Sequence, residues 1–134
     1  MIVVDTNIIT YLYLPTKYTE LAETLLSKDP HWIAPILWIS EFRSVLSFYI
    51  RQNIIHLDDA LSIVQEAENL LADNEYQISS IAVMNLVSQS DCSAYDCEYV
   101  ALAKQTNTIL VTQDKKILRN FPEISFRLNS LPNF

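Results

Sequence analysis

Short apolar β-branched runs alternate along the chain with longer stretches in which apolar residues recur every three or four positions. Ile2–Val4 is the first run; it ends at Asp5 and has the unbroken apolar character of a strand buried on both faces. Asp5, Thr6 and Asn7 offer N-cap chemistry to a helix through Ile8, Ile9 and Leu12, which Pro15 stops. Residues 19–27 carry Leu21, Leu25 and Leu26 on one side, the spacing of a second helix. Residues 31–34 form a brief strand closed by Pro35. A long helix is expected over 36–51 and another over 57–72, the latter with Leu61, Val64, Ala67, Leu70 and Leu71 inward. A strand at 76–79, a helix at 81–87 and a helix at Ala94–Gln105 capped by Ser93 come next. Thr108 to Thr112 (TILVT) is the second clear buried strand. Asp114 then opens a short helix through Ile117 and Leu118 that ends before Pro122, and 125–128 is a last strand.

Strands separated by helical stretches predict one α/β domain over 1–134, with a central, mainly parallel sheet flanked by helices. No repeat, linker or low-complexity segment interrupts it. In such sheets sites form at the carboxyl ends of the strands.

Composition narrows the classes. Half of the chain is hydrophobic and 19% is charged, which excludes a disordered chain. No stretch approaches 18 consecutive apolar residues, and MIVVDTNIIT has no basic flank, so the expectation is a soluble, cytoplasmic protein with no membrane contact. The net charge of −7 argues against holding a polyanion by overall charge. It leaves open a nucleic-acid enzyme whose acids are gathered around metal ions. Cys92 and Cys97 read as small buried hydrophobes, and they form no zinc spacing with His31 or His56. The chain has no glycine at all, which removes every Gly-rich phosphate loop.

Four acids stand out. Asp5 and Asp114 each follow a strand, where a helix N-cap is the plain reading. Glu41 has Leu37, Trp38, Ser44, Val45 and Phe48 as helical neighbours, so its carboxylate lies on a mostly apolar face. A cation or hydrogen-bond donors would answer it there, the plain alternatives being an ion pair with an arginine or an edge position where the side chain reaches solvent. Asp96 is placed similarly, beside Cys92, Ser93, Tyr99, Val100 and Ala103, with a capping box to Ser93 as its structural alternative. Clustered carboxylates without histidine or cysteine form an oxygen-only set, which selects Mg²⁺ or Mn²⁺. One or two such ions would clamp a phosphate and activate a water.

Four segments, MIVVDTNIITYL, ISEFRSVL, SAYDCEYVALA and ILVTQDKKIL, carry the pattern DTN…E…YDxxYxALA…TxD over nearly the whole chain. As a set they resemble the PIN-domain family, in particular the VapC-type ribonuclease toxins of toxin–antitoxin pairs. The resemblance implies a three-layer sandwich and metal-dependent endonucleolytic cleavage of RNA, with Mg²⁺ or Mn²⁺ as cofactor. It implies Asp5, Glu41, Asp96 and Asp114 as catalytic metal ligands, and Asn7 and Thr112 as polar residues that orient them or the water. Two positions depart from the pattern: Asp91 stands where many relatives have glycine, and Glu98 where a small residue is common. Both are expected to be solvated.

Lys115, Lys116 and Arg119 are the only basic cluster, and Arg43 lies close to Glu41 in sequence; Arg43 and Lys115 are the candidate RNA contacts. Tyr11, Tyr13 and Tyr18 are open to base stacking or to plain packing. Surplus apolar surface on 36–50, with 57–71 after it, suits a homodimer face, an antitoxin groove or a tightly packed helical layer. Three rivals remain at this level: an RNA-processing nuclease of the same fold, a non-catalytic interaction module, and a phosphatase using Asp5 as nucleophile. The last would want DxD where this chain has DTN.

Overall fold

Five strands pair side by side in one sheet, in the order β3-β2-β1-β4-β5, and every pairing is parallel. The structure, a computed structural model, describes residues 1–132. The strands are β1 (Ile2–Val4), β2 (Trp32–Pro35), β3 (Glu75–Tyr76), β4 (Leu110–Val111) and β5 (Ser125–Phe126). Between them run α1 (Thr6–Tyr13), α2 (Thr19–Lys28), α3 (Trp38–Arg51), α4 (Leu57–Leu71), α5 (Ser80–Ser88), α6 (Ala94–Gln105) and α7 (Lys115–Asn120).

The strand order reverses at β1: the chain steps outward to β2 and β3, then returns to place β4 on the other side. Right-handed crossovers therefore put α1–α4 on one face and α5–α7 on the other. The packing agrees, since α1 lies against α2, α3 and α4, while α6 lies against α5 and against β1, β2 and β4. The three-layer α/β expectation holds, with a sheet that is wholly rather than mainly parallel. Ile2, Val3, Val4, Ile33, Leu110 and Val111 are all buried, as strands covered on both faces must be.

Several boundaries shift for local reasons. Pro35 is the last residue of β2, paired with Tyr76, and Ile36 and Leu37 form a turn before α3. The third strand is Glu75–Tyr76 rather than 76–79, because Ser79 is used as the N-cap of α5, its hydroxyl accepting from the Ala82 N–H. Thr108 is outside β4 because it closes the end of α6: its N–H reaches the Ala103 carbonyl and the Asn107 N–H reaches Lys104. That paired closure needs a left-handed residue, and in a chain without glycine Asn107 takes it at φ 55°. Asn53 ends α3 the same way at φ 58°.

The long helix α3 is amphipathic, not apolar all round. Trp38, Phe42 and Leu46 are buried, while Phe48 is 58% exposed. Both cysteines are free and buried. Among the described residues no helix is long and apolar enough to cross a membrane.

Candidate active site

The reversal between β1 and β4 opens a crevice at the carboxyl ends of these strands, the place where open α/β sheets bind ligands. Asp5 follows β1 directly, and its N–H is held by the Val111 carbonyl of β4 at 3.0 Å. Its carboxylate is buried. Oδ1 accepts from the Thr6 N–H at 2.8 Å, capping α1, and Oδ2 accepts from the Thr112 hydroxyl at 2.7 Å. Thr112 Oγ1 in turn accepts the Asp114 N–H at 3.0 Å. Cap and site residue are thus the same group: capping uses one oxygen and the relay from β4 uses the other.

Burial pushes the Asp5 carboxyl up, the Thr112 and Thr6 donors pull it down, and the charges of Glu41 and Asp96 push it up again. The outcome is a pKa of about 7.

Glu41 extends from the first turn of α3, half-buried. No arginine answers it; the ion pairs among the described residues are Met1–Asp29 and Lys104–Glu123. Its Oε1 accepts instead from the Tyr99 hydroxyl at 2.6 Å, and the Thr6 hydroxyl oxygen lies 3.0 Å from that same oxygen and 2.6 Å from the Tyr99 hydroxyl. Burial, then the charges of Asp5 and Glu41, hold the Tyr99 phenol far above its ordinary range, so it stays a donor.

Asp96 sits half-buried in the first turn of α6, where its N–H donates to Ser93 Oγ at 3.1 Å. Burial raises its pKa first and the Asp114 charge second; the Ser93 hydroxyl opposes, the Glu41 charge adds, and Lys116 opposes. Asp96 thus feels Asp114 more than Glu41, and its own charge acts on Asp5. Asp114 caps α7, Oδ1 accepting from the N–H groups of Lys116 and Ile117 at 2.9 and 3.0 Å.

The structure brings the four acids into one field without closing them into a cage. Among the described residues no three Asp, Glu, His or Cys side chains form a ready-made metal-binding group. The donor set nevertheless fits a hard divalent cation: it is all oxygen, no ion pair among the described residues neutralises it, and Asn7 adds a buried amide oxygen that no donor among them answers. Asn7, Thr6, Tyr11, Glu41 and Ser44 line a cleft of about 400 Å³, in which Glu41 is the one lining acid of the four.

Arg43 is exposed and lies two positions from Glu41, about 200° around the helix, so it faces away from the cleft. Lys115 is exposed at the start of α7, but it is the charge of Lys116 that acts on Asp96. Asp91 is exposed as expected. Glu98 is not: it is half-buried, and burial and the Glu41 charge raise its pKa. Tyr13 and Tyr18 are packing residues, the first edge-on to Phe42 and the second against Tyr11.

Sequence reasoning missed Thr6 and Tyr99 as parts of the site. Both stand inside the quoted motifs, Thr6 in DTN and Tyr99 in YDxxYxALA, and Tyr99 also lies three residues after Asp96 on the same side of α6.

The chain is similar to several known proteins. The chain is 26% identical over 126 residues to ribonuclease VapC3 of Pyrobaculum aerophilum, covering 92% of this chain and 96% of that one. It superposes on the structure of FitAcB from Neisseria gonorrhoeae with a TM-score of 0.76 at 17% identity, over 98% of this chain and all of that one. A toxin–antitoxin complex from Klebsiella pneumoniae gives 0.71 at 16% identity, over 98% and 100%. The PIN domain model matches residues 2–123. With this match spanning almost the whole fold, the chain belongs to the PIN-domain family.

Proposed function

We propose that this protein is a Mg²⁺- or Mn²⁺-dependent endoribonuclease and the toxin of a VapBC-type toxin–antitoxin pair. The observation that carries the reading is a set of four carboxylates linked through Asp96 at the sheet's reversal point, of which Asp5 and Glu41 are steadied by neutral hydrogen-bond donors. The ribonuclease name of the Pyrobaculum relative supports the substrate class, and the Klebsiella toxin–antitoxin complex supports the biological setting.

In this reading Asp5, Glu41, Asp96 and Asp114 hold the ion, with Asn7 and Thr112 orienting what lies between them. When bound, the ion supplies positive charge to the phosphodiester and acidifies a water for in-line attack. The chain's own groups do the rest. Thr112 and Thr6 fix the Asp5 carboxylate, Lys115 and Lys116 attract the phosphate backbone, and Tyr11 walls the cleft that takes the neighbouring nucleotide. A cognate antitoxin, or a second copy of the chain, covers the apolar positions around the turn from α3 to α4: Phe48, Ile54, Leu57 and Leu61 are each 58–61% exposed.

Cleavage of RNA in Mg²⁺ or Mn²⁺ by wild type, Asp5→Asn and Asp96→Asn tests the proposal. Both variants are expected to fold and to lose metal-dependent cleavage. A folded variant that still cuts at the wild-type rate would remove the acids from the reaction.

A further inference from the structure

We infer that Tyr99 is a positioning residue for Glu41: its hydroxyl, carried by a helix on the opposite face of the sheet, fixes which carboxylate oxygen is turned to the metal. The inference rests on the metal-dependent reading above and deepens it.

Tyr99 is 1% exposed, with its ring in the core beneath α6. A phenol buried that deeply needs a partner for its hydroxyl. The partner it finds is neither backbone nor solvent but Glu41 Oε1, 58 residues away in sequence and on α3 in the other helical layer. Glu41 Oε2 makes no hydrogen bond among the described residues. One oxygen is anchored and the other is left open.

The three hydroxyl and carboxylate oxygens share only two protons, which allows the direction to be worked out. The contacts are 2.6 Å from Tyr99 to Glu41, 2.6 Å between Thr6 and Tyr99, and 3.0 Å from Thr6 to Glu41. A hydroxyl donating to a carboxylate sits at about 2.5–2.7 Å, so the short pair defines the relay: Thr6 donates to Tyr99, and Tyr99 donates to Glu41. With both protons so placed, each short contact contains one hydrogen. Had both hydroxyls pointed at Glu41, the 2.6 Å contact between them would bring two oxygens together with none. Thr6 is also the residue whose N–H binds Asp5, so the relay ties the geometry of Glu41 to that of Asp5. A glutamate alone on a helix has three side-chain torsions free; pinning Oε1 selects one arrangement before any cation arrives.

Calorimetric titration with Mn²⁺ alone separates positioning from packing. Tyr99→Phe keeps the ring and deletes the donor. It is expected to weaken Mn²⁺ binding roughly ten- to a hundredfold, as loss of a partner behind a ligand does. In a Glu41→Gln background the same change is expected to add no further weakening, because its target is gone. Unchanged Mn²⁺ affinity in folded Tyr99→Phe overturns the inference, and so does an equal loss in both backgrounds. Should Tyr99→Phe not fold, Thr6→Val carries the same comparison, with a several-fold loss expected that also vanishes beside Glu41→Gln. Thr6→Ser is expected to restore wild-type affinity. If Glu41→Gln weakens binding and Tyr99→Phe does not, this inference alone fails. If folded wild type binds no Mn²⁺, the metal reading fails and takes the inference with it.

Discussion

Replacing Asp5 by asparagine changes stability in a direction that depends on pH, and the size follows from the site. Asp5 is buried, and its pKa is raised from 3.8 to about 7, chiefly by burial. The folded protein therefore binds a proton at Asp5 over a range where the unfolded chain has released it. Stability falls as pH rises between about 4 and 7. The whole rise corresponds to about 4 kcal/mol of burden once Asp5 is fully ionised. Asparagine has no charge to bury, but it cannot accept at both positions: the amide nitrogen leaves the Thr112 or Thr6 donor unanswered, a loss of about 1 kcal/mol. At pH 4, Asp5→Asn should be the less stable protein by about 1 kcal/mol. At pH 8, without divalent ions, it should be the more stable by about 3 kcal/mol, the difference of those two terms. Urea unfolding in EDTA at pH 4, 6 and 8 measures this directly. A variant-to-wild-type difference that keeps one sign and size across the series would refute the argument that Asp5 is held against its own ionisation.

Two other expectations concern the frame and the surface. Asn107→Ala puts a β-carbon at φ 55° without the side chain that tolerates it, and should lower stability by about 1 kcal/mol in the same assay, whereas Asn107→Gly should not. Phe48→Asp places a charge among the exposed apolar residues of the α3–α4 turn; affinity for the cognate antitoxin is expected to fall at least tenfold while RNA cleavage is retained, and an unchanged affinity would move the partner to another face.

The parts of this fold that can be read from sequence are those set by local pattern. Ile2–Val4 and the TILVT run announce buried strands because an unbroken β-branched segment has few other uses, and Asp5 and Thr112 mark where each one ends. Glu41 and Asp96 are visible as acids among apolar helical neighbours. What stays hidden is set by convergence. Thr6 and Tyr99 meet across 93 residues, and neither has a spacing that foretells the contact. The two-residue strand Glu75–Tyr76 exists only through its pairing with Ala34 and Pro35, so the run around it suggested a different span. Arg43 seemed close to Glu41 along the chain, yet two residues of helix turn it away.

Under the proposed metal-dependent reading, the choice of donors around the acids accounts for so acidic a crevice. An arginine or lysine bonded to Glu41 or Asp5 would relieve the repulsion among the four carboxylates and improve stability. It would also cancel the negative potential and occupy the lone pairs that a divalent ion needs. Threonine and tyrosine hydroxyls orient a carboxylate without neutralising it. Here Asp5 is held by Thr112 and the Thr6 N–H, and Glu41 by Tyr99, which Thr6 backs in turn; Lys116 acts on Asp96 without forming an ion pair among the described residues. The cost is a carboxyl at Asp5 that resists ionising near neutral pH, which a bound cation would reverse by favouring the charged form. Neutral anchoring and a strained acid are therefore one arrangement, and the pH-dependent gain in stability on replacing Asp5 is its measurable signature.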